Sequence, residues 1–351
     1  MLLQFNSLSS LTVAVTMVFI AATPVRAGQL TLTQAGIDLG FNLTNFVSGY
    51  AFGTSSGGGV GYGPLSQAVL PNGNVITGNR GDNQIYIFHD VDGQTLGNAV
   101  ATVPYSPTTT NGNWSLVTAG GQVYGAQSNG GSYVHFGNDG SFSPVAGLAA
   151  LTNYYGMSAN PANGHIIAGT NLGLVDIDPV AGTFRVINAG LFADGLTVSA
   201  DGSTIFLDND VALPGTIESY RTSDGSKLQS YNLTTPYFPD GLGVITTAGP
   251  LKGYILVNNN GQKNSDGTFT SGSVGLLNPL NPNQYVIIAT GGSRGDFISP
   301  DTSDGSLFLS YQDQVVRLSL ADPAVSPEPA SVGLFGIGCL AMGLMYRRRH
   351  A

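Results

Sequence analysis

DGLTVSADGSTIFLDN, residues Asp194–Asn209, decides the fold. A short apolar run, Leu196–Val198, meets the turn-forming Ser-Ala-Asp-Gly-Ser, and a β-branched and aromatic run, Thr204–Leu207, follows before polar residues end the stretch. Asp-Gly between two such runs is a strong short-range signal for a β-hairpin, because glycine supplies the positive φ that a tight turn needs. An isolated hairpin is marginally stable in water, so this one must pack on others. The sequence supplies them. LSQAVLPNGNVITGN from Leu65, WSLVTAGGQVYGAQ from Trp114 and YGMSANPANGHIIAGT from Tyr155 follow the same plan, as do DGLGVITTAGPLKGYILVNN from Asp240 and GDFISPDTSDGSLFLSY from Gly295. A third strand often comes next, as in QIYIFH from Gln84, GLVDID from Gly173, TIESYR from Thr216 and QVVRLS from Gln314, and then a fourth such as TFRVIN from Thr183.

Six units spaced by about 40 to 55 residues fit four-stranded propeller blades. No long amphipathic helix interrupts them, and the expected class is all-β, a six-bladed β-propeller. A strand within LTLTQAGIDLGFNLTNFVSG, from Leu30, is placed to pair with the last unit and close the ring, which removes the exposed sheet edges. The architectural alternatives are a pair of β-sandwiches or a β-helix. The repeats resemble the NHL and regucalcin/gluconolactonase-like six-bladed propellers, most clearly at PDGLGV and ADGLTVSADGSTIFL.

Charged residues make up only 9% of the 351-residue chain, whereas glycine occupies 50 positions. Hydrophobic content of 42% is ample for a core and argues against global disorder. Between Gly28 and Val325 eight basic residues face twenty acidic ones, a net charge of −12. Such a surface lacks the clustered Lys and Arg that nucleic-acid phosphates require. The single cysteine, Cys339, excludes an intramolecular disulfide or a zinc cluster of cysteines.

The two ends read as addresses. Leu11–Ala22 is a short apolar block, and Val25 with Ala27 fits the small-x-small pattern of signal peptidase, giving a signal peptide over 1–27 cleaved after Ala27. Basic residues do not precede the block; only the amino terminus carries positive charge there. Ala330–Tyr346 is an uncharged run near the lower limit for spanning a bilayer, with Arg347, Arg348 and Arg349 immediately after it. Arginines flanking a span stay cytoplasmic, so the expected topology is an exported domain over 28–323 and a membrane helix within 324–351.

Pro327-Glu328-Pro329, then Ala330-Ser331, a glycine-rich span and the arginine cluster resemble the PEP-CTERM sorting signal of Gram-negative bacteria. That resemblance implies recognition of Pro327, Glu328 and Pro329 by an exosortase after export by the Sec and signal-peptidase machinery. It also implies transient anchoring in the inner membrane, with Arg347, Arg348 and Arg349 retained in the cytoplasm, followed by release toward the cell surface or extracellular matrix.

Chemistry is sparse in the ectodomain sequence. Asp194, Asp240 and Asp296 each stand where an innermost strand begins, and converging carboxylates can hold a hard cation such as Ca²⁺. Asn209, Asn258 and Asn259 are placed to add neutral oxygens. The other reading of these aspartates is as turn residues that bond to backbone amides. The regucalcin-like resemblance implies a metal-ligating glutamate entering the first blade and an aspartate in an Asp-Gly turn. Asp194 or Asp240 matches the aspartate, but the first blade opens GPLSQAVL without an acid, and the only glutamates are Glu218 and Glu328. His89, His135, His165 and His350 are scattered, and no Gly-x-Ser-x-Gly elbow occurs. Asp90-Val91-Asp92-Gly93 opens like a Ca²⁺ loop but lacks its closing glutamate. Two readings follow: a non-enzymatic propeller that binds an extracellular polymer or glycan without a cofactor, or a secreted metal-dependent hydrolase or lyase.

Overall fold

The computed structural model describes residues 29–321, apart from 52, 55–60, 105–113, 128–130, 210–214, 234–237, 261–271, 293–294, 296 and 312. The repeats form six antiparallel sheets, each a propeller blade whose first strand is innermost. Blade 1 runs outward through Pro64–Val69, Val75–Asn79, Gln84–Phe88 and Ala101–Pro104. Blade 2 uses Trp114–Ala119, Gln122–Gln127, Tyr133–Phe136 and Phe142–Pro144, and blade 3 Asn153–Ala159, Ile166–Thr170, Gly173–Asp178 and Thr183–Asn188. Blade 4 comprises Leu196–Val198, Thr204–Asn209, Thr216–Arg221 and Lys227–Asn232. Phe238–Val244, Ile255–Asn260, Ser273–Leu277 and Tyr285–Thr290 make blade 5.

Blade 6 takes only three strands from the carboxy-terminal repeat, Ile298–Pro300, Leu307–Ser310 and Gln314–Leu320. Its fourth is the N-terminal strand Phe41–Ser48, paired antiparallel from Phe41↔Leu320 to Ser48↔Gln314 with a bulge between Asn45 and Val47. The ring closes as the sequence leads one to expect. Two additions lie outside that expectation: Thr31–Leu32 extends the outer edge of blade 5, and Gln94–Thr95 pairs in parallel with Val47–Ser48. Both are two-residue strands, too short to leave a periodic signal. Among the described residues helix is confined to the short segments Gln34–Asp38 and Leu96–Asn98. Among the described residues no helix is long and apolar enough to cross a membrane. The segments expected to hold the signal peptide, cleavage site and membrane helix lie outside the described residues.

Because each blade is covered on both faces by neighbours, its strands bury consecutive residues. In Ile255–Asn260 every residue is buried. Apolar clusters fill each junction around the ring. Ile76, Ile85 and Ile87 of blade 1 meet Leu116, Val123 and Phe136 of blade 2, and Phe46 and Phe308 of blade 6 meet Val75 and Phe88 of blade 1. Each large aliphatic or aromatic side chain so buried stabilises the fold by about 1.5–3 kcal/mol.

The turns obey one local rule. Asp-Gly-Ser occurs at 139–141, 201–203, 224–226 and 304–306. In each case the aspartate Oδ1 accepts the backbone N–H of the serine two residues on, at 3.0, 3.0, 3.0 and 2.8 Å. The intervening glycine takes the positive φ that closes the turn, as at Gly202 with φ 76°.

Candidate functional site

The innermost strands surround an axial channel of about 600 Å³, to which all six blades contribute. Ser66, Ser115, Ser158, Thr197 and Ser299 all line the channel. Counted back from the first-to-second-strand turn, Ser66 and Ser115 share one position, and Ser158, Thr197 and Ser299 share the position two residues later. Blade 5 has Gly243 there, where a Cβ would come within 2.4 Å of the Ile298 side chain. Part of this hydroxyl column is structural. An innermost strand has a free edge, and its N–H groups need partners once buried. Ser66 Oγ accepts from Leu116 N at 2.8 Å, and Ser299 Oγ accepts from Gln67 N at 3.1 Å. In both, a hydroxyl caps the backbone of the next blade one residue beyond that blade's own hydroxyl. Thr118 Oγ1 similarly accepts from Val69 N and donates to Val69 O, both at 2.9 Å.

Among the described lining residues the sole ionisable one is Asp301, which is buried. It pairs with Arg317 Nη1 at 3.0 Å and accepts from Ser303 Oγ at 2.6 Å. Burial pushes its carboxyl up, and the nearby Asp90 and Asp304 charges add to that shift. The rest of the wall is hydroxyl, amide, glycine and apolar side chain.

The exposed lining residues share one end of the channel. Gly120, Gly121, Pro161, Asn163, Thr246 and Thr302 all sit in, or at the edge of, turns joining first to second strands, so the channel opens on that turn face. Toward the other end the lining glycines Gly156, Gly195 and Gly241 are buried.

Asp194 and Asp240 occupy equivalent places in blades 4 and 5, where their backbones pack against the preceding blade. A Cβ on Gly156 would lie 2.5 Å from the Asp194 carbonyl oxygen, and one on Gly195 only 2.1 Å from that of Asp240. Gly195 N also donates to Asp208 Oδ1 at 2.9 Å. The side chain of Asp240 accepts from Asn260 Nδ2. Neither aspartate lines the channel, and Asp296 lies outside the described residues. Of the asparagines, Asn258 Oδ1 accepts from Tyr311 at 3.1 Å and Asn259 Nδ2 donates to Tyr285 at 2.8 Å. The side chain of Asn209 lies outside the described set. Among the described residues no group of three or more His, Cys, Asp and Glu is arranged to hold a metal.

Glu218 is on the third strand of blade 4, bonded to Lys227 at 2.6 Å and to Tyr220. His165 meets Asp176 at 2.8 Å and His135 meets Gln122 at 3.0 Å, both away from the channel. The sequence reading missed the hydroxyl column. Its signal was a serine or threonine at one repeat position in blades 3, 4 and 6 and two residues earlier in blades 1 and 2, and it is easily overlooked because serine and threonine are common in strands and turns.

Residues 327–349, which lie outside the described residues, match the family model for the PEP-CTERM protein-sorting motif. The chain carries an exosortase sorting signal. The motif implies recognition by an exosortase, export, and membrane anchoring before processing. No curated protein sequence matches the chain. Its fold is similar to that of a gluconolactonase from Xanthomonas campestris, with a TM-score of 0.56 at 12% identity over 85% of this chain and 96% of that one. A second structure assigned as a gluconolactonase gives 0.56 at 12% identity, covering 83% and 98%. A Bacteroides thetaiotaomicron protein of unknown function gives 0.53 at 12% identity, covering 80% and 76%. At these identities the likeness establishes the propeller fold alone.

Proposed function

We propose that this PEP-CTERM protein is delivered to the cell surface or extracellular matrix, where its propeller binds a neutral polymer or glycan in the axial channel without transforming it. The observation that carries this reading is the channel wall. Its hydroxyl and amide groups can exchange hydrogen bonds with an uncharged polyol, and its apolar patches can cover sugar C–H faces. The single carboxylate of the described wall is already engaged by Arg317. General acid–base hydrolysis calls for a pair of groups with separated pKa values at the reacting bond, and the described wall offers no second titratable group.

Removing Pro327–Ala351 should release the domain into the medium, and unchanged localisation would sink the sorting half of the reading. For the binding half, neutral glycans and the host's own exopolysaccharide would be titrated by calorimetry against the wild type and Thr246→Trp. Thr246 is exposed at the mouth, so the indole narrows the entrance without repacking the core. Binding by the wild type that the variant lacks is the expected result. A Ca²⁺-dependent thermal shift abolished by Asp240→Asn would instead favour the metal-dependent hydrolase, with Asp194, Asp240 and Asp296 as its ligands.

A further inference from the structure

Two features of the fold converge on the turn face. The channel opens there, through Gly120, Gly121, Asn163 and Thr302. The chain also leaves there. In blade 6 the first strand, Ile298–Pro300, runs into the 301–306 turn, and the third strand, Gln314–Leu320, runs in the same direction. Its end is fixed beside that turn, since Arg317 reaches Asp304 at 3.1 Å and Ala321 N donates to Gly40 O at 2.8 Å. Strands are spaced by about 4.8 Å, so the exit at Ala321 lies only about 10 Å outward from the innermost strand.

Eight residues, 322–329, separate Ala321 from the apolar run that begins at Ala330. Even fully extended, they reach no more than about 29 Å. The same face carries exposed Asp92, Asp139, Asp201, Asp224 and Asp304 in its turns, which outnumber Arg221, Lys227 and Lys252. Repulsion from anionic headgroups over a Debye length of about 8 Å would hold the face off the lipid instead of embedding it.

We infer that the turn face is the membrane-apposed surface of the anchored precursor, with the channel mouth facing the bilayer across a narrow aqueous gap. The partner is a lipid surface, and the consequence is steric. Small solutes reach the channel of the anchored form, whereas a polymer reaches it only once the tail is removed. Processing at the sorting motif thereby licenses the binding function as well as releasing the protein. The inference rests on the anchoring that the motif implies, and extends the channel reading above.

The test uses the full chain with Cys339→Ala in cells lacking exosortase, carrying either Asn163→Cys at the channel mouth or Leu172→Cys. Leu172 lies in the second-to-third-strand turn of the same blade, on the opposite face. Spheroplasts are treated with a small membrane-impermeant maleimide or a bulky polyethylene-glycol maleimide. The small reagent should modify both cysteines, which verifies folding and export. The bulky reagent should modify Asn163→Cys roughly an order of magnitude more slowly than Leu172→Cys. A flexible Gly/Ser insert of about 30 residues after Ala321, adding a mean reach of about 30 Å, should restore the rate. Equal bulky-reagent rates without the insert would overturn the inference. Recovery of the full chain in the soluble fraction would overturn the anchoring beneath it, and fractionation tells the two failures apart.

Discussion

Arg317 Nη1 donates to the buried carboxylate of Asp301 at 3.0 Å, across blade 6 from its third strand to the turn after its first. The same guanidinium reaches Asp304 at 3.1 Å, and Asp92 and Asp90 in the loop after the third strand of blade 1. It lies over the rings of Phe46 and Phe308, 5.1 and 4.8 Å from their centroids. Phe46 belongs to the N-terminal closing strand, so one side chain ties that strand, blade 6 and blade 1 together where the ring is shut.

Replacing Arg317 by methionine should therefore cost about 3–5 kcal/mol, the range for stripping one partner from a buried ion pair. Urea unfolding would measure it. Adding Asp301→Asn should recover part of the loss, because it removes the most deeply buried of the stranded carboxylates. A double variant no more stable than the single one would show that packing on Phe46 and Phe308, not charge, is what Arg317 supplies.

This closure shows where the sequence was legible. Strand, turn and strand recur on a fixed plan, so the blades and the closing strand can be read from local patterns. The Arg317 cluster joins residues 90, 92, 301, 304 and 317, whose proximity depends on ring closure. Asp90-Val91-Asp92-Gly93 invited comparison with a Ca²⁺ loop, and the cation beside it is a guanidinium supplied from the far end of the domain. Asp194 and Asp240 were legible as a repeating position. What a sequence could not show is that their carbonyls face glycines of the preceding blade, because that contact belongs to blade packing and not to the repeat itself.

That contact gives the second prediction. Gly195→Ala would set a Cβ 2.1 Å from the Asp240 carbonyl oxygen, an overlap that backbone must move to relieve. A loss of about 1–3 kcal/mol is expected, the usual cost of overpacking. Gly97→Ala is the control, since the nearest atom to its Cβ would be Thr95 Oγ1 at 3.7 Å. Thermal unfolding of the two variants should separate them clearly.

The hydroxyl column should divide into two classes under substitution. Ser66→Ala removes the acceptor for the Leu116 N–H and leaves a buried donor unsatisfied, a cost of about 1–3 kcal/mol. Ser158 is partly exposed, so Ser158→Ala should change stability by about 0.5 kcal/mol or less. If the channel binds a polyol, Ser158→Ala should weaken that binding while leaving the unfolding transition in place. Calorimetry on the ligand-positive wild type and both variants checks the division.

The Asp-Gly-Ser turns set the response to acid. Hydrogen bonds from the Ser141 hydroxyl and amide hold Asp139 below the usual carboxylate range. Ser199 and Ser203 do so for Asp201, and Ser226 for Asp224. A carboxylate whose pKa is depressed on folding contributes stability above its unfolded value, about 3.9, and loses that contribution as pH falls through the lower folded value. Asp301 acts in the opposite sense. Burial raises its pKa, so protonation as pH falls from neutrality toward the unfolded value favours the native state. Stability should thus hold or rise slightly between neutrality and about pH 4, then decline below it as the turn carboxylates protonate. Urea midpoints across that range test the sum. Asp201→Asn, which keeps an acceptor oxygen but cannot titrate, should flatten the decline below pH 4 and leave the upper limb unchanged. A decline just as steep in that variant would show that the Asp201 turn contributes nothing to the acid sensitivity.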